Sequence, residues 1–464
     1  MDQDDISLEH GRNTNILRQS SENNHNINSN SQHHNYDDHG EIAITIHTDP
    51  YHAFIPALRA HLPHSIPLLR RIQHAIAYPS PTASFLATSL PDVSSCSSSS
   101  SPWLAAFVDL YAGSETQVWV YSSLEAEASL PSSGEAEEEG GYLIANFSGI
   151  SSEKKDRARA QLLVLLSFIK TNLLPGYLSF VESNKKEDSR AATAGPTPSS
   201  HASLAASSTS PSPPKIPPPP PQAFLLGSLH TGLFTLLTAS ESYTDAIPLP
   251  GLRIHRHDVP PYIKYLFHPS TYKSYDNDEH ALPPKYRYHD RTGRHGVLPH
   301  HLDLVINRTH IPRSRNTLMK MPSVAVYYDR DDNDSNSIVQ DGTTPSEEMP
   351  IAWGFISVDG SLATLHVEPE HRGQGLAVTL SKEIMRRAMA VDNNQAGGGG
   401  EGGIFRFPRE VHFSSDDNND NDHDAWTHAD VATTNVASRR VMEKIGGRIA
   451  WTDTWTVVEL CDNT

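Results

Sequence analysis

Apolar and polar positions along this chain form short periodic blocks separated by long polar stretches. Isoleucines recur at every second position over Glu41–His47 and predict a strand, because alternate side chains of a strand share one face. Two helices are expected next, near Tyr51–His61 and Ile66–Ile76. The further elements predicted in the first half are strands at Ala83–Leu90, Trp103–Tyr111, Thr116–Ser122, Tyr142–Phe147 and Gln222–Leu229, and a helix at Glu153–Thr171.

The second half has a similar outline. Two lead-in segments, Leu302–Ile311 and Arg313–Met321, precede a set of strands. The predicted strands are Ser323–Tyr328, Ile351–Val358, Leu362–Val367, Glu410–Ser414 and Ala425–Ala432. Apolar residues spaced by three and four predict a helix over Gln374–Ala390, and a second helix, Asn435–Ile445, ends at two glycines. In the last strand, Asp453 falls on the face that carries the tryptophans and interrupts its apolar pattern.

The repeated outline favours an α/β fold with a mixed sheet, built from two tandem copies of one domain. The predicted division is a polar tail (residues 1–40), a first domain (41–268), a linker (269–296) and a second domain (297–464). The tail is too polar to bury a core, so we expect it to be disordered.

Composition excludes several classes of function. The net charge of −18 argues against nucleic-acid binding, which needs lysine and arginine to neutralise phosphates. The two cysteines, Cys96 and Cys461, form neither a disulfide framework nor a zinc site, and no metal is expected. The longest apolar run, Leu162–Ile169, is too short to span a bilayer, so we expect no membrane partner and a cytoplasmic location, with the nucleus as an alternative. The proline-rich segment Ala191–Pro221 is a candidate docking site for another protein.

The residues that indicate chemistry lie between the strand Leu362–Val367 and the following helix. The connecting loop is Arg372-Gly373-Gln374-Gly375-Leu376-Ala377. A glycine-containing turn at a helix N-terminus exposes backbone N–H groups that suit a diphosphate, and it is also compatible with an ordinary strand-to-helix turn. A second motif, Asn435-Val436-Ala437-Ser438, follows the next strand and begins a helix, where Asn435 is also a natural N-cap.

Together the two motifs resemble the signature of the GNAT acyltransferases, and the segment Asn307–Ala377 is similar to the glycine N-acyltransferase-like branch and its fungal relatives. This resemblance implies a GNAT fold with acetyl-coenzyme A or another acyl-coenzyme A as co-substrate. It places the cofactor on the backbone of Leu365, His366 and Val367, on the loop Arg372–Ala377, and beside Asn435 and Ser438. The first half lacks the loop, because Ser148–Ser152 follows its strand. That half is expected to be a degenerate copy with a structural role.

The resemblance further implies direct attack of an amine on the thioester in a ternary complex. Candidates for the general base are His366 and Glu368, on or after the cofactor strand, and His428 and Asp430, which share a face of the next strand. A chain of bound water is a further candidate. Met442 lies where many GNAT enzymes carry a tyrosine that protonates the thiolate. The group that would act as the general acid is therefore not identified.

Three functions remain after these arguments. The first is an N-acyltransferase acting on a small-molecule or peptide amine. The second is a coenzyme A-binding or interaction protein with little turnover, which the methionine at position 442 favours. The third is a protein N-terminal or lysine acetyltransferase. Neither acyl length nor acceptor is specified by these motifs.

Overall fold

The computed structural model describes residues 42–91, 101–128, 138–139, 142–193, 217–268, 281–309, 311–329, 348–389 and 426–462. These residues belong to one compact unit, Ile42–Thr464. The predicted tail, the predicted strand Glu410–Ser414 and most of the proline-rich segment lie outside them.

The predicted elements that fall in the described residues occur in the predicted order, with further elements between them. The strands are β1 (Thr45–Ile46), β2 (Ser84–Ala87), β3 (Leu104–Val108), β4 (Val118–Ser122), β5 (Glu138–Glu139), β6 (Tyr142–Leu143), β7 (Phe224–His230), β8 (Leu252–Arg256), β9 (Tyr262–Phe267), β10 (Tyr286–Arg287), β11 (Ser323–Tyr328), β12 (Ala352–Ile356), β13 (Leu362–Val367), β14 (Thr427–Ala432) and β15 (Arg448–Leu460). The helices are α1 (Pro50–Arg59), α2 (Ile66–Ala77), α3 (Ser152–Phe168), α4 (Leu174–Thr193), α5 (Thr231–Thr235), α6 (Leu302–Arg308), α7 (Arg315–Lys320), α8 (Leu376–Met389) and α9 (Val436–Lys444).

Local sequence explains where the helices begin. Asp49 accepts hydrogen bonds from the backbone of Tyr51 and His52 at the start of α1, and Ser151 caps α3 through the N–H of Lys154. These side chains satisfy N–H groups that have no partner inside the helix. The helices then bury apolar faces on both sides of the sheet, with α1 and α2 on one face of β2–β4 and α3 on the other.

The main sheet joins the two halves of the chain. Its order in the described residues is β1-β2-β3-β4-β7-β15-β9-β14, with β8 also pairing with β15. All the pairs are antiparallel except β4 with β7, so the sheet is mixed and the predicted α/β class is confirmed. The C-terminal strand β15 pairs with β7 of the first half and with β9, and it therefore closes the sheet between the halves.

Each half contains the same unit, which agrees with the predicted tandem GNAT-like architecture. In the first half, the antiparallel run β1–β4 is followed by β7, which is parallel to β4. In the second half, the antiparallel run β10–β13 is followed by β14, which meets β13 at a parallel bridge.

Several predicted boundaries differ from the structure. The predicted strands Glu41–His47 and Tyr142–Phe147 are hydrogen-bonded as strands only at Thr45–Ile46 and Tyr142–Leu143. Part of the predicted linker forms β10, which pairs with β11, and β9, placed in the first domain, pairs with β14 and β15. The predicted boundaries follow changes in composition along the chain. Strands, in contrast, pair with partners that are distant in the sequence. The two-domain boundaries themselves stay a prediction.

One long helical segment, Ser152–Lys186, is long and apolar enough to cross a membrane by length and composition. In the structure, Leu162, Leu165 and Leu166 on this segment pack against the sheet of the first half. Length and composition alone do not identify a membrane segment, because helices in the cores of soluble proteins meet the same criterion.

Candidate functional site

A cavity of about 380 Å³ lies where β13 and β14 separate. A single isolated parallel bridge, Ser361–His428, joins these strands in the described residues, and beyond it the strands diverge. Of the predicted site residues, those that line the cavity are Leu365, His366, Asp430, Asn435 and Ser438. Those that do not line it are Val367, Glu368, His428 and the loop Arg372–Ala377.

Strand β13 carries a bulge at the cavity wall. Trp353 of β12 pairs with His366 and Phe355 pairs with Ala363, so Gly354 alone stands opposite two residues. One of these, Thr364, has a φ of 55°, which is a strained conformation for a β-branched residue. A bulge of this kind turns backbone groups away from the hydrogen bonds of the sheet. Both bulge residues, Thr364 and Leu365, line the cavity.

The loop after β13 is shaped by its glycines. Gly373 and Gly375 have φ values of 80° and 79°, which glycine adopts without strain, and no heavy atom lies within 4 Å of a Cβ placed on either. The Arg372 side chain donates from Nε to the carbonyl of Val367 at 3.0 Å and fixes the loop to the end of β13. Helix α8 begins at Leu376, so the open glycine surface lies at a helix N-terminus, where anions are favoured.

The second predicted motif forms the start of α9. Asn435 is its N-cap, and its side-chain oxygen accepts the N–H of Ser438 at 3.1 Å. Both residues also line the cavity, so the capping role and a ligand-facing position coexist. Met442, one turn further, is buried and reaches the cavity wall, where a thioether has no proton to give to a thiolate.

The cofactor strand brings His366 and Glu368 together. His366 stacks on Trp353 with ring centroids 4.6 Å apart, and its Nε2 lies 3.6 Å from a carboxylate oxygen of Glu368, beyond hydrogen-bond distance. The other oxygen of Glu368 accepts from Nε of Arg308 at 3.0 Å. Burial lowers the pKa of His366, and the Glu368 charge only partly opposes this, so the ring is neutral at pH 7.

His428 and Asp430 lie together on β14, as predicted, but His428 has no access to the cavity. It is fully buried, and its Nε2 contacts the carbonyl of Asp359 at 2.9 Å. Its Nδ1 lies 3.4 Å from the amino group of Lys264. Burial and the Lys264 charge lower the pKa of His428 to about 3. Because a base must touch the acceptor or a water bound to it, the structure argues against His428 as the general base.

His428 is buried next to an ion cluster centred on Lys264, which the sequence motifs did not indicate. Lys264 contacts Asp430 at 2.5 Å, Asp453 at 2.8 Å and the Ser228 hydroxyl at 2.8 Å. Burial would lower the pKa of Lys264, but the two carboxylates raise it, so the amine stays charged. The signal in the sequence was a single lysine inside the otherwise apolar run Tyr262–Phe267.

Asp359, His428 and Asp430 offer ligand atoms within 4.8 Å of one another, which is a spacing compatible with a metal ion. The Lys264 ammonium, however, already contacts Asp430 and lies 3.4 Å from Nδ1 of His428. A charged amine in this position serves as the counter-ion, so we assign the cluster as an ion-pair network.

The first half contributes to the cavity, in contrast to the purely structural role expected for it. Glu115, Thr116 and Trp119 line the cavity, as does Leu225 of β7. Nε1 of Trp119 is buried and has no hydrogen-bond partner in the described part of the chain. Nothing in the linear order of the sequence places these residues next to β13 and β14, because the contact depends on β15 joining the halves.

Comparisons with known proteins agree with an acyltransferase. Residues 41–265 match the family model of the acyl-CoA N-acyltransferase verG N-terminal domain. No curated protein matches the chain.

Among solved structures, a Drosophila protein is similar over 91% of this chain and 100% of its own, with 10% identity and a TM-score of 0.45. A tandem GNAT protein from the clavulanic acid biosynthesis pathway, solved without acetyl-coenzyme A, covers 90% of this chain and 98% of its own at 9% identity and a TM-score of 0.35. A GCN5-related N-acetyltransferase from Kribbella flavida covers 51% of this chain and 67% of its own at 11% identity and a TM-score of 0.25. Similarities at this level carry no argument, whereas the family match over residues 41–265 is to a domain of an acyl-CoA N-acyltransferase.

Proposed function

We propose that this protein transfers an acetyl or other acyl group from acyl-coenzyme A directly to a primary amine in a ternary complex. The observation that carries the proposal is the opening between β13 and β14, with a bulged strand on one side and an unobstructed glycine loop at the start of α8. The amine acceptor is a small molecule or a peptide. A cytoplasmic location remains a prediction.

The loop Arg372–Ala377 holds the coenzyme A diphosphate, because its open backbone and the α8 N-terminus favour an anion. The backbone of Leu365 and His366, which line the cavity, faces the thioester and polarises its carbonyl with N–H groups, while Val367 follows at the end of the strand outside the lining. Asn435 and Ser438, on the opposite wall, contact the pantetheine arm.

We assign His366 as the general base, with Glu368, which Arg308 holds in place, as the nearby charge that favours its protonation. His366 lines the cavity on the bulged strand, next to the backbone that polarises the carbonyl. With its proton on Nε2, directed toward Glu368, the ring keeps a lone pair on Nδ1 for the ammonium proton. Asp430 also lines the cavity, but the Lys264 ion pair occupies its carboxylate.

The His366→Ala variant is expected to lower kcat by roughly 10²- to 10⁴-fold, the range typical of losing a general base, without loss of acetyl-coenzyme A binding. Steady-state rates and the cofactor-induced melting shift check both parts. The exposed histidine variant His295→Ala is the matched control and should retain wild-type kinetics. An unchanged rate in His366→Ala would remove His366 from the mechanism.

The pH profile gives a second check on His366. A base works in its neutral form, and burial lowers the pKa of His366 below its ordinary 6.5. The acid limb of kcat/KM should therefore lie below pH 6.5. In Glu368→Gln this limb should move further to acid, because the carboxylate that raises the histidine pKa is gone. An acid limb at the same pH in the wild type and in Glu368→Gln would contradict an interaction between His366 and Glu368.

The function itself is tested by thermal unfolding and calorimetry of the full chain with acetyl-coenzyme A and with free coenzyme A. A ligand that binds only the folded state raises the melting temperature. Binding followed by transfer to amines supports the acyltransferase. Binding with no transfer would favour the coenzyme A-binding protein, and no binding would exclude both.

A further inference from the structure

The cavity extends along the sheet well beyond the point where β13 and β14 separate. The residues that line it come from neighbouring strands in the order Trp119 (β4), Leu225 (β7), Trp455 (β15), Tyr262 (β9), Ala429–Ala432 (β14) and Leu362–His366 (β13). Paired strands lie about 4.8 Å apart, so β15 is roughly 10 Å from β14 across β9, and β13 lies beyond β14 on the other side of the opening. A molecule that reacts at His366 therefore has room to reach as far as β15.

Asp258 lies at this far part of the cavity. One carboxylate oxygen accepts the backbone N–H of Trp455 at 2.9 Å, and the other has no hydrogen-bond partner among the described residues. Arg256 also lines the cavity, but it donates to the carbonyl of Pro217 at 3.1 Å and forms no ion pair with Asp258 in the described structure. Burial raises the pKa of Asp258 to about 6, although the Trp455 N–H and the Arg256 charge partly oppose this.

Aromatic rings flank this carboxylate. Tyr262 and Trp455 meet edge to face with centroids 5.0 Å apart, and both line the cavity. The indole N–H of Trp455 donates to the Thr116 hydroxyl at 3.1 Å, so a first-half residue holds the ring in place. Aromatic faces beside a carboxylate attract an ammonium or guanidinium group.

We propose that the acceptor is an elongated amine with a second cationic group, which Asp258 binds beside Tyr262 and Trp455 while the reacting amine lies at His366. This inference rests on the proposed acyltransferase function. A long acyl chain is the other molecule that an extended cavity admits, but a carboxylate without a hydrogen-bonded counter-ion opposes its burial. The second half thus carries out the transfer, and the two halves together select the acceptor.

The test uses the full chain, acetyl-coenzyme A and two matched series of acceptors: α,ω-diaminoalkanes of increasing length and n-alkylamines of the same lengths. Diamines should give a higher kcat/KM than monoamines, with an optimum chain length. In Asp258→Asn the ratio of diamine to monoamine kcat/KM should fall by roughly 10- to 100-fold, the range for losing a charge-assisted hydrogen bond. Asp156→Asn, an exposed carboxylate outside the cavity, is the control and should retain the ratio.

The melting shift with acetyl-coenzyme A shows that each variant is folded. Transfer to monoamines and diamines at equal efficiency would overturn this inference and leave the acyltransferase intact, and so would a diamine preference that survives in Asp258→Asn. Failure to acylate any amine would overturn both.

Discussion

Gly375→Glu is expected to abolish acetyl-coenzyme A binding while the protein stays folded. No heavy atom lies within 4 Å of a Cβ at this position, so the side chain has space within the protein itself. In the complex, a glutamate here would place its bulk and negative charge against the diphosphate at the start of α8. Calorimetry and the cofactor-induced melting shift measure the loss, which should be complete at millimolar ligand.

The backbone of Gly375 adds a second effect that needs a control. A side chain at a φ of 79° is strained wherever it occurs, so some loss of stability is expected in the variant. Gly293→Glu is matched, because Gly293 has a φ of 85° and equally open surroundings in a turn outside the cavity. Both variants should melt earlier than the wild type, but only Gly293→Glu should retain the cofactor shift. Wild-type affinity in Gly375→Glu would refute the assigned loop.

Lys264→Met should have the largest effect on stability, lowering the free energy of unfolding by about 3–5 kcal/mol. Lys264 is fully buried and contacts two carboxylates, and methionine leaves both of them buried without a cation. Denaturant unfolding of the full chain measures the loss. Lys154→Met removes a partly exposed lysine from an ion pair of 2.6 Å with Glu127 and should cost less than about 1 kcal/mol.

The pH dependence separates a lost ion pair from lost packing. Burial and the Asp453 charge already raise the pKa of Asp430 well above its usual range, and loss of the Lys264 charge, which opposes this, raises it further. The folded variant then binds more protons than the unfolded chain, so its stability rises as the pH falls. The destabilisation should therefore be smaller at acidic pH than at neutral pH. A deficit that does not change with pH would mean that Lys264 acts through packing alone.

The elements predicted well are those whose cause is local. The helices α2, α8 and α9 were found because their apolar spacing, and for α9 the capping residue Asn435, lie within a few turns of chain. The glycine loop was found for the same reason, since a left-handed backbone at Gly373 and Gly375 calls for glycine at those positions. Strands β8 and β9 were missed. Leu252 and Ile254 alternate, and β9 is an apolar run broken by one lysine, but both segments are short.

Asp453 shows most clearly what local sequence patterns cannot predict. In the sequence it interrupts the apolar face of the last strand, and in the structure it is the buried partner of Lys264. Its position has a reason only when β15 lies beside β9, which no local pattern contains. The choice among the candidate bases also depends on contacts between strands that are distant in the sequence. His366 and His428 are both strand histidines in the sequence, and only the packing of β9, β14 and the Asp359 turn buries His428.

The sequence by itself determined the mixed α/β class, the order of most elements and the loop expected to hold the cofactor, because periodicity, helix caps and glycine conformations act over neighbouring residues. Only the tertiary structure decided that one sheet joins both halves, that Lys264 neutralises the buried cluster, and that Trp119, Asp258 and Tyr262 share a cavity with His366. These features depend on pairing between strands distant in the chain. Such pairing is set by the burial and charge compensation of the whole sheet.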